Sequence, residues 1–128
     1  MTPDSQLIVV LPSEPASAKR ARDLSTARCL AWGVPSLSSD VALVVTELVS
    51  NAVRHAGTTV TLTLRPLVDG VRLEVADGTT RPLHPRSSDQ DAEGGRGLLL
   101  VDALSTRYGV QADPNGKRVW AELHLAAE

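Results

Sequence analysis

The chain has 128 residues, of which 42% are hydrophobic and only 2% aromatic, so one domain with a core of Val, Leu and Ala is expected. Thirteen basic and fifteen acidic residues give a net charge of -2, which excludes the basic surface of a duplex-DNA binder; the few aromatics exclude a base-stacking RNA-binding sheet. The single Cys29 excludes an internal disulfide, and the lack of a signal-peptide pattern or a run of ~18 apolar residues predicts a cytoplasmic protein that does not enter membranes.

The residue pattern of the N-terminal third of the chain predicts a strand followed by a helix. Residues 7–11 (LIVVL) form a short apolar run that ends at Pro12, which is typical of a buried strand. Between there and Gly33, apolar side chains recur about every 3.6 residues, which predicts an amphipathic helix. Its expected inner face consists of Ala18, Ala21, Leu24, Ala27, Leu30 and Ala31.

A second helix is predicted from Ser38 or Ser39, either of which can cap it, to Ala56. Gly57 is a natural stop. Most of the side chains are apolar, so the helix is expected to be largely buried, but it carries a narrow polar stripe at Glu47, Asn51 and then Arg54 or His55. The stripe is either a solvated seam on a core helix or a carboxylate and an amide oxygen that together bind a hard cation and orient a hydroxyl group. No second His or Cys lies at metal-ligand spacing, so a zinc site is not expected.

A hairpin is predicted after this helix, with strands at 58–64 and 71–76 joined by a turn at 67–70. Asp77-Gly78 follows directly. This pair is either a simple turn signal or a carboxylate at the rim of the sheet that accepts the amino hydrogen of an adenine. In the second interpretation, Gly78 allows the base to approach the backbone.

The next stretch, residues 79–97, holds two prolines and three glycines, which is typical of a lid or binding loop. It leads through Gly94-Gly95-Arg96-Gly97 into an apolar helix predicted from Leu98 to about Thr106. Backbone N–H groups at such a helix start suit phosphates, and a hinge for the loop is the alternative.

A second hairpin, with strands at 108–112 and 117–125, is predicted to complete the chain. Strands interrupted by helices and joined mostly as hairpins indicate an α+β fold. We expect a two-layer α/β sandwich with a mixed, mainly antiparallel sheet and helices on one face.

These elements resemble the GHKL ATPase superfamily over nearly the whole chain, and in particular its small bacterial branch of anti-sigma factors that are serine-protein kinases. Four segments carry the resemblance: an N-box at 47–56 (ELVSNAVRHA), an adenine-binding motif at 74–78 (EVADG), a lid motif at 93–98 (EGGRGL) and a final strand at 116–120 (GKRVW). The resemblance implies a Bergerat-type ATP-binding fold, with one histidine-kinase-like domain over residues 1–128 and a lid at 79–97.

The resemblance also implies a role for each matching residue. Glu47 would be the general base, Asn51 would hold Mg²⁺ against the phosphates of ATP, and Asp77 with Gly78 would bind adenine. The residues expected to close on the triphosphate are Gly95, Arg96, Gly97 and Leu98.

The implied reaction transfers the γ-phosphate of ATP to a serine of a STAS-type anti-anti-sigma protein, and the same chain would bind a sigma factor. No direct contact with nucleic acid is expected. The branch often forms dimers, so a homodimer with a contribution from the strand at 7–11 is an open alternative.

Three features differ from the usual pattern of the superfamily. The adenine motif usually reads Asp-x-Gly-x-Gly, whereas residues 79–82 (TTRP) follow Gly78 here. Arg118 stands near the place where many members have a threonine that supports the adenine-binding carboxylate. Pro82 and Pro85 stiffen the expected lid. These features favour nucleotide binding over turnover. The alternative function is therefore a nucleotide-binding interaction module with weak or no kinase activity. A histidine kinase fragment is not expected, because no helix with a phosphoacceptor histidine precedes the motifs.

Overall fold

The computed structural model describes residues 6–78 and 99–126. The predicted lid, with Gly95, Arg96 and Gly97, and also Leu98, lies outside these ranges. The described elements follow the predicted order: β1 (Leu7–Leu11), α1 (Ala16–Ala31), a 3-10 turn (Pro35–Leu37), α2 (Ser38–Ala56), β2 (Val60–Leu67), β3 (Gly70–Asp77), helical residues 99–104, β4 (Arg107–Asp113) and β5 (Gly116–His124).

The five strands form one sheet in the order β1-β2-β3-β5-β4, and every neighbouring pair is antiparallel. The predicted α+β sandwich with helices on one face is confirmed. A mixed, mainly antiparallel sheet was expected, and the sheet is antiparallel throughout the described residues. The reason is that β5 lies between β3 and β4, two strands that run in the same direction and would form a parallel pair as neighbours.

The core lies between α2 and the sheet, where α2 contacts β2, β3 and β5. Its largest fully buried side chains include Leu62, Leu64, Leu73 and Leu123 from the strands and Val41, Val44, Val45 and Val49 from α2. Pro35–His55 has the length and hydropathy of a membrane-crossing helix, but most of its apolar side chains lie in the core, with Leu43 exposed. A core helix that is apolar on most sides passes the same test.

The face that α1 turns toward α2 differs from the prediction. Its buried residues are Ser17, Ala21, Ser25 and Cys29, whereas Ala27, Leu30 and Ala31 are exposed. Small side chains at every fourth position let the two helices approach closely, and both serine hydroxyls donate to main-chain carbonyl oxygens, so their burial leaves no unpaired donor. Burial raises the pKa of the Cys29 thiol to about 11, which keeps the thiol protonated and unreactive at neutral pH.

Two local expectations also need correction. β1 is an edge strand rather than a buried one, and Ile8 and Val10 are more than half exposed, because none of the described helices covers that face of the sheet. Ser38 begins α2 as predicted, but its hydroxyl donates to the carbonyl oxygen of Pro35 and does not cap the helix.

Charged and aromatic side chains cover the sheet face opposite the helices. The Glu122 side chain is only 6% exposed and accepts hydrogen bonds from Arg107 Nε and Arg72 Nη1, both at 2.9 Å. The Arg72 guanidinium lies 4.4 Å from the Trp120 ring centroid, and Gly109 leaves room for the indole, since a Cβ there would come within 2.8 Å of the ring. The hydrogen bond from Arg107, helped by the one from Arg72, lowers the pKa of Glu122 to about 2, although burial opposes this shift.

Stability is therefore expected to decline in acid through Glu122. The pKa of Glu122 is about 2 in the folded protein and 4.5 ordinarily. The ionised carboxylate therefore stabilises the fold fully above pH 4.5, and this contribution is lost as the pH falls toward 2. Glu122→Gln should lower the free energy of unfolding by about 3 kcal/mol at neutral pH and by much less near the folded pKa. Urea unfolding at several pH values, with the exposed Glu14→Gln as control, checks this. A deficit that is the same at all pH values would contradict it.

Candidate active site

The polar stripe of α2 is present in the fold, and its residues have different environments. Glu47 is half-buried and makes no hydrogen bond or ion pair within residues 6–78 and 99–126. Asn51, one turn further along, is only 9% exposed, and its Oδ1 accepts a hydrogen bond from the Arg54 guanidinium. The amide oxygen of Asn51 is thus directed at a positive charge.

This arrangement suits an oxygen-preferring cation better than a self-contained metal centre. Among the described residues, no three His, Cys, Asp or Glu side chains come together as a metal site. Mg²⁺ commonly takes only one or two protein ligands and completes its shell with water and phosphate oxygens. The Asn51 oxygen fits that pattern, with the exposed Arg54 beside it as a partner for a phosphate.

The end of β3 is tied to the end of α2. The Gly78 N–H donates to Thr58 Oγ1 at 2.9 Å, and Thr58 lies two residues beyond the last residue of α2. A Cβ on Gly78 would lie 3.3 Å from the Thr58 side chain, so the approach is close. Asp77 shares the helix-facing side of β3 with the buried Leu73 and Val75, and its side chain is 4% exposed.

Lys117 lies directly opposite Asp77 in the β3–β5 pair, and its Nζ is 3.0 Å from Asp77 Oδ2. The Lys117 side chain is itself only 8% exposed, so an acid and a base are buried together at the end of the sheet. Gly116 permits this approach, because a Cβ there would overlap the carbonyl oxygen of Asp77.

Arg118, which was expected near the place of a threonine that supports the adenine-binding carboxylate, lies one residue beyond the position opposite Asp77. Arg118 pairs with Ala76 and faces the side away from the helices, where its Nη1 lies 3.8 Å from Glu74 Oε1. A difference of one residue along a strand reverses the face of the sheet, so Lys117 takes the position next to Asp77.

A family model described as "Histidine kinase-like ATPase domain" matches residues 11–123, a range that includes α2, Asp77 and Lys117. The chain belongs to this family. Membership of this family supports ATP binding by the chain. No curated protein matches the chain.

The fold of this histidine kinase-like ATPase domain resembles a solved structure, "Histidine kinase domain from Erythrobacter litoralis EL346 blue-light activated histidine kinase", with a TM-score of 0.58. The sequences are 17% identical, and the match covers 89% of this chain but only 61% of that one. The chain thus spans less than two thirds of that protein, and the likeness concerns the fold alone.

Four of the sequence-predicted site residues lie within the described ranges: Glu47 and Asn51 on α2, and Asp77 and Gly78 at the end of β3. Thr58 binds the Gly78 N–H just beyond α2, and Lys117 pairs with Asp77; the sequence did not single out either residue. The remaining predicted residues, Gly95, Arg96, Gly97 and Leu98, lie outside the described ranges.

Proposed function

We propose that this histidine kinase-like ATPase domain is an ATP-dependent protein serine kinase that acts as an anti-sigma regulator. It binds Mg-ATP where α2 meets β3 and transfers the γ-phosphate to a serine of a STAS-type anti-anti-sigma protein. The observation that supports this best is the stripe of α2, where Glu47 has no partner among the described residues and Asn51 presents a nearly buried amide oxygen to a guanidinium.

Asn51 is assigned to Mg²⁺, which supplies charge neutralisation of the phosphates when bound. Asn51 Oδ1, which accepts from Arg54, would ligate the cation, and the Arg54 guanidinium would then be available to pair with a phosphate oxygen. Asp77 accepts the amino hydrogen of adenine, and Gly78 leaves room for the base. Transfer of a phosphoryl group depends mainly on positioning and charge neutralisation, so a short set of residues is enough.

Glu47 is assigned the role of general base. Its carboxylate is half-buried and is held by no cation within the described chain, so it is available to accept a proton from a serine hydroxyl. A carboxylate held in an ion pair would be a weaker proton acceptor. The partner proteins, a sigma factor and the serine-bearing antagonist, are cytoplasmic, and the same location is proposed for this chain.

A second candidate function is a nucleotide-binding interaction module that holds a sigma factor without transferring phosphate. The sequence after Gly78 favours this alternative, because residues 79–82 (TTRP) replace the rest of the usual Asp-x-Gly-x-Gly motif, a departure that favours nucleotide binding over turnover. Incubation with γ-labelled ATP and a serine-bearing STAS protein separates the two functions. Label on the serine supports the kinase, whereas tight Mg-ATP binding without label supports the module.

The magnesium assignment predicts a selective loss in Asn51→Ala. The variant should bind Mg-ATP about 10-fold or more weakly, in line with the loss of one charged-group contact, and should bind magnesium-free ATP about as well as the wild type. Fluorescence titration with a labelled nucleotide, with and without Mg²⁺, measures both affinities. Ser50→Ala, on the same helix, is the matched control. An equal loss under both conditions would argue against Asn51 as a metal ligand.

A further inference from the structure

The ion pair between Asp77 and Lys117 is an unusual element for the end of a sheet. Both side chains are more than nine-tenths buried, and their charged atoms are 3.0 Å apart. Removing two charges from water costs several kcal/mol per ion, and packed apolar residues often stabilise a fold as well or better. Stability therefore gives a weak reason for this pair, whereas its position at the proposed base-binding end of β3 suggests a use in recognition.

The pair presents a hydrogen-bond acceptor beside a donor. A carboxylate has about four acceptor positions and an ammonium group has three N–H donors, so each retains capacity beyond their mutual contact. Adenine presents the complementary pattern, because its amino group is a donor and the ring nitrogens N1 and N7, one on each side of that group, are acceptors. A carboxylate without a neighbouring ammonium group can recognise only the amino donor of adenine and not the ring nitrogens.

We propose that Lys117 is a specificity-determining residue of the nucleotide site and donates a hydrogen bond to a ring nitrogen that flanks the amino group bound by Asp77. This inference rests on the proposed function, since it assumes that Asp77 binds the base. It has one chemical consequence for selectivity. In a 6-oxopurine such as guanine, the amino donor is replaced by an oxygen that repels the carboxylate, and the adjacent N1 becomes a donor that repels the ammonium group.

Lys117 is placed for this contact by backbone geometry. Its register opposite Asp77 is fixed by the β3–β5 pairing, and Gly116 allows the start of β5 to lie against the carbonyl group of Asp77. Arg118, the next residue, carries the same sign of charge but faces the opposite side of the sheet. The two residues therefore form a matched pair for a test.

The test compares the affinities of ATP, 1-deaza-ATP and 7-deaza-ATP for the wild-type chain by calorimetry. Each analogue replaces one flanking ring nitrogen with a carbon. One of them should bind about 10-fold or more weakly than ATP, because a hydrogen bond to a charged donor is lost, and GTP should bind more weakly still. Equal affinities for ATP and both analogues would overturn the inference, and this result needs no variant.

Variants at Lys117 and Arg118 then identify the side chain that donates the hydrogen bond to the ring nitrogen. Lys117→Met should bind ATP and the affected analogue with equal affinity, Lys117→Arg should keep the preference for ATP within a few-fold, and Arg118→Met should leave it unchanged. If Lys117→Met weakens ATP and both analogues by the same factor, Lys117 only orients Asp77 and the inference is wrong. If the wild type binds no nucleotide at all, the proposed function fails, which is a different result from binding without discrimination.

Discussion

Glu47→Gln is expected to lower the rate of serine phosphorylation by about 10²–10⁴-fold and to leave the Kd for Mg-ATP within about twofold. Glutamine has nearly the same shape but cannot accept the proton of the attacking hydroxyl. Because the Glu47 carboxylate makes no hydrogen bond or ion pair with another described residue, its replacement disturbs no internal contact there. Single-turnover transfer of labelled phosphate to a STAS protein gives the rate, and calorimetry gives the affinity.

Asp40→Asn is the matched control for this prediction. It neutralises another carboxylate on the same helix, in the first turn of α2 and away from the proposed reacting groups. It should leave the phosphorylation rate within about twofold, apart from a small effect on helix stability. A Glu47→Gln chain that phosphorylates as fast as the wild type would remove Glu47 from the mechanism.

Lys117→Met is expected to reduce the free energy of unfolding by about 3–5 kcal/mol, because it leaves the buried Asp77 carboxylate without its ammonium partner. Asp77→Asn is expected to be destabilising for the converse reason. The double variant should be more stable than the sum of the two single losses predicts, since it buries no unpaired charge. Urea unfolding of all four chains gives the coupling energy.

Lys19→Met supplies the comparison on the surface. Lys19 Nζ lies 3.2 Å from Asp23 Oδ2, about the same separation as in the buried pair, but both side chains are more than 60% exposed. Its loss should cost less than about 1 kcal/mol. Strictly additive losses in the Asp77 and Lys117 variants would show that burial does not couple these charges.

The elements that local signals define were predictable from the sequence. α2 begins at Ser38 and ends at Ala56, and Gly57, with a φ of 69°, adopts the left-handed conformation expected of a helix stop. Glu47 and Asn51 could be paired from their spacing alone, because positions i and i+4 share a helix face. The environment of Asn51, including its contact with Arg54, depends on side-chain packing that spacing does not determine.

The features that depend on non-local pairing were not predictable in the same way. The inner face of α1 was predicted only in part: Ala18 and Ala21 pack in or against the core as expected, but hydrophobicity alone did not indicate the buried small residues at positions 17, 25 and 29. Arg118 was expected near the place of the supporting threonine, and Lys117 proved to lie opposite Asp77. The register between β3 and β5, two strands distant in sequence, decides between these neighbours. Alternation contained a usable signal, since Val119, Ala121 and Leu123 face the core and Lys117 continues their series.

The central claim is that the chain binds Mg-ATP at the junction of α2 and β3, and calorimetric titration with ATP, in the presence and absence of Mg²⁺, tests it most directly. We predict one nucleotide per chain, tighter binding with Mg²⁺, and a gain in unfolding free energy of about 2.7 kcal/mol at a ligand concentration of ~100 Kd. Asn51→Ala should remove the magnesium dependence, and Ser50→Ala should retain it. The claim is contradicted if millimolar Mg-ATP produces neither heat of binding nor an increase in Tm.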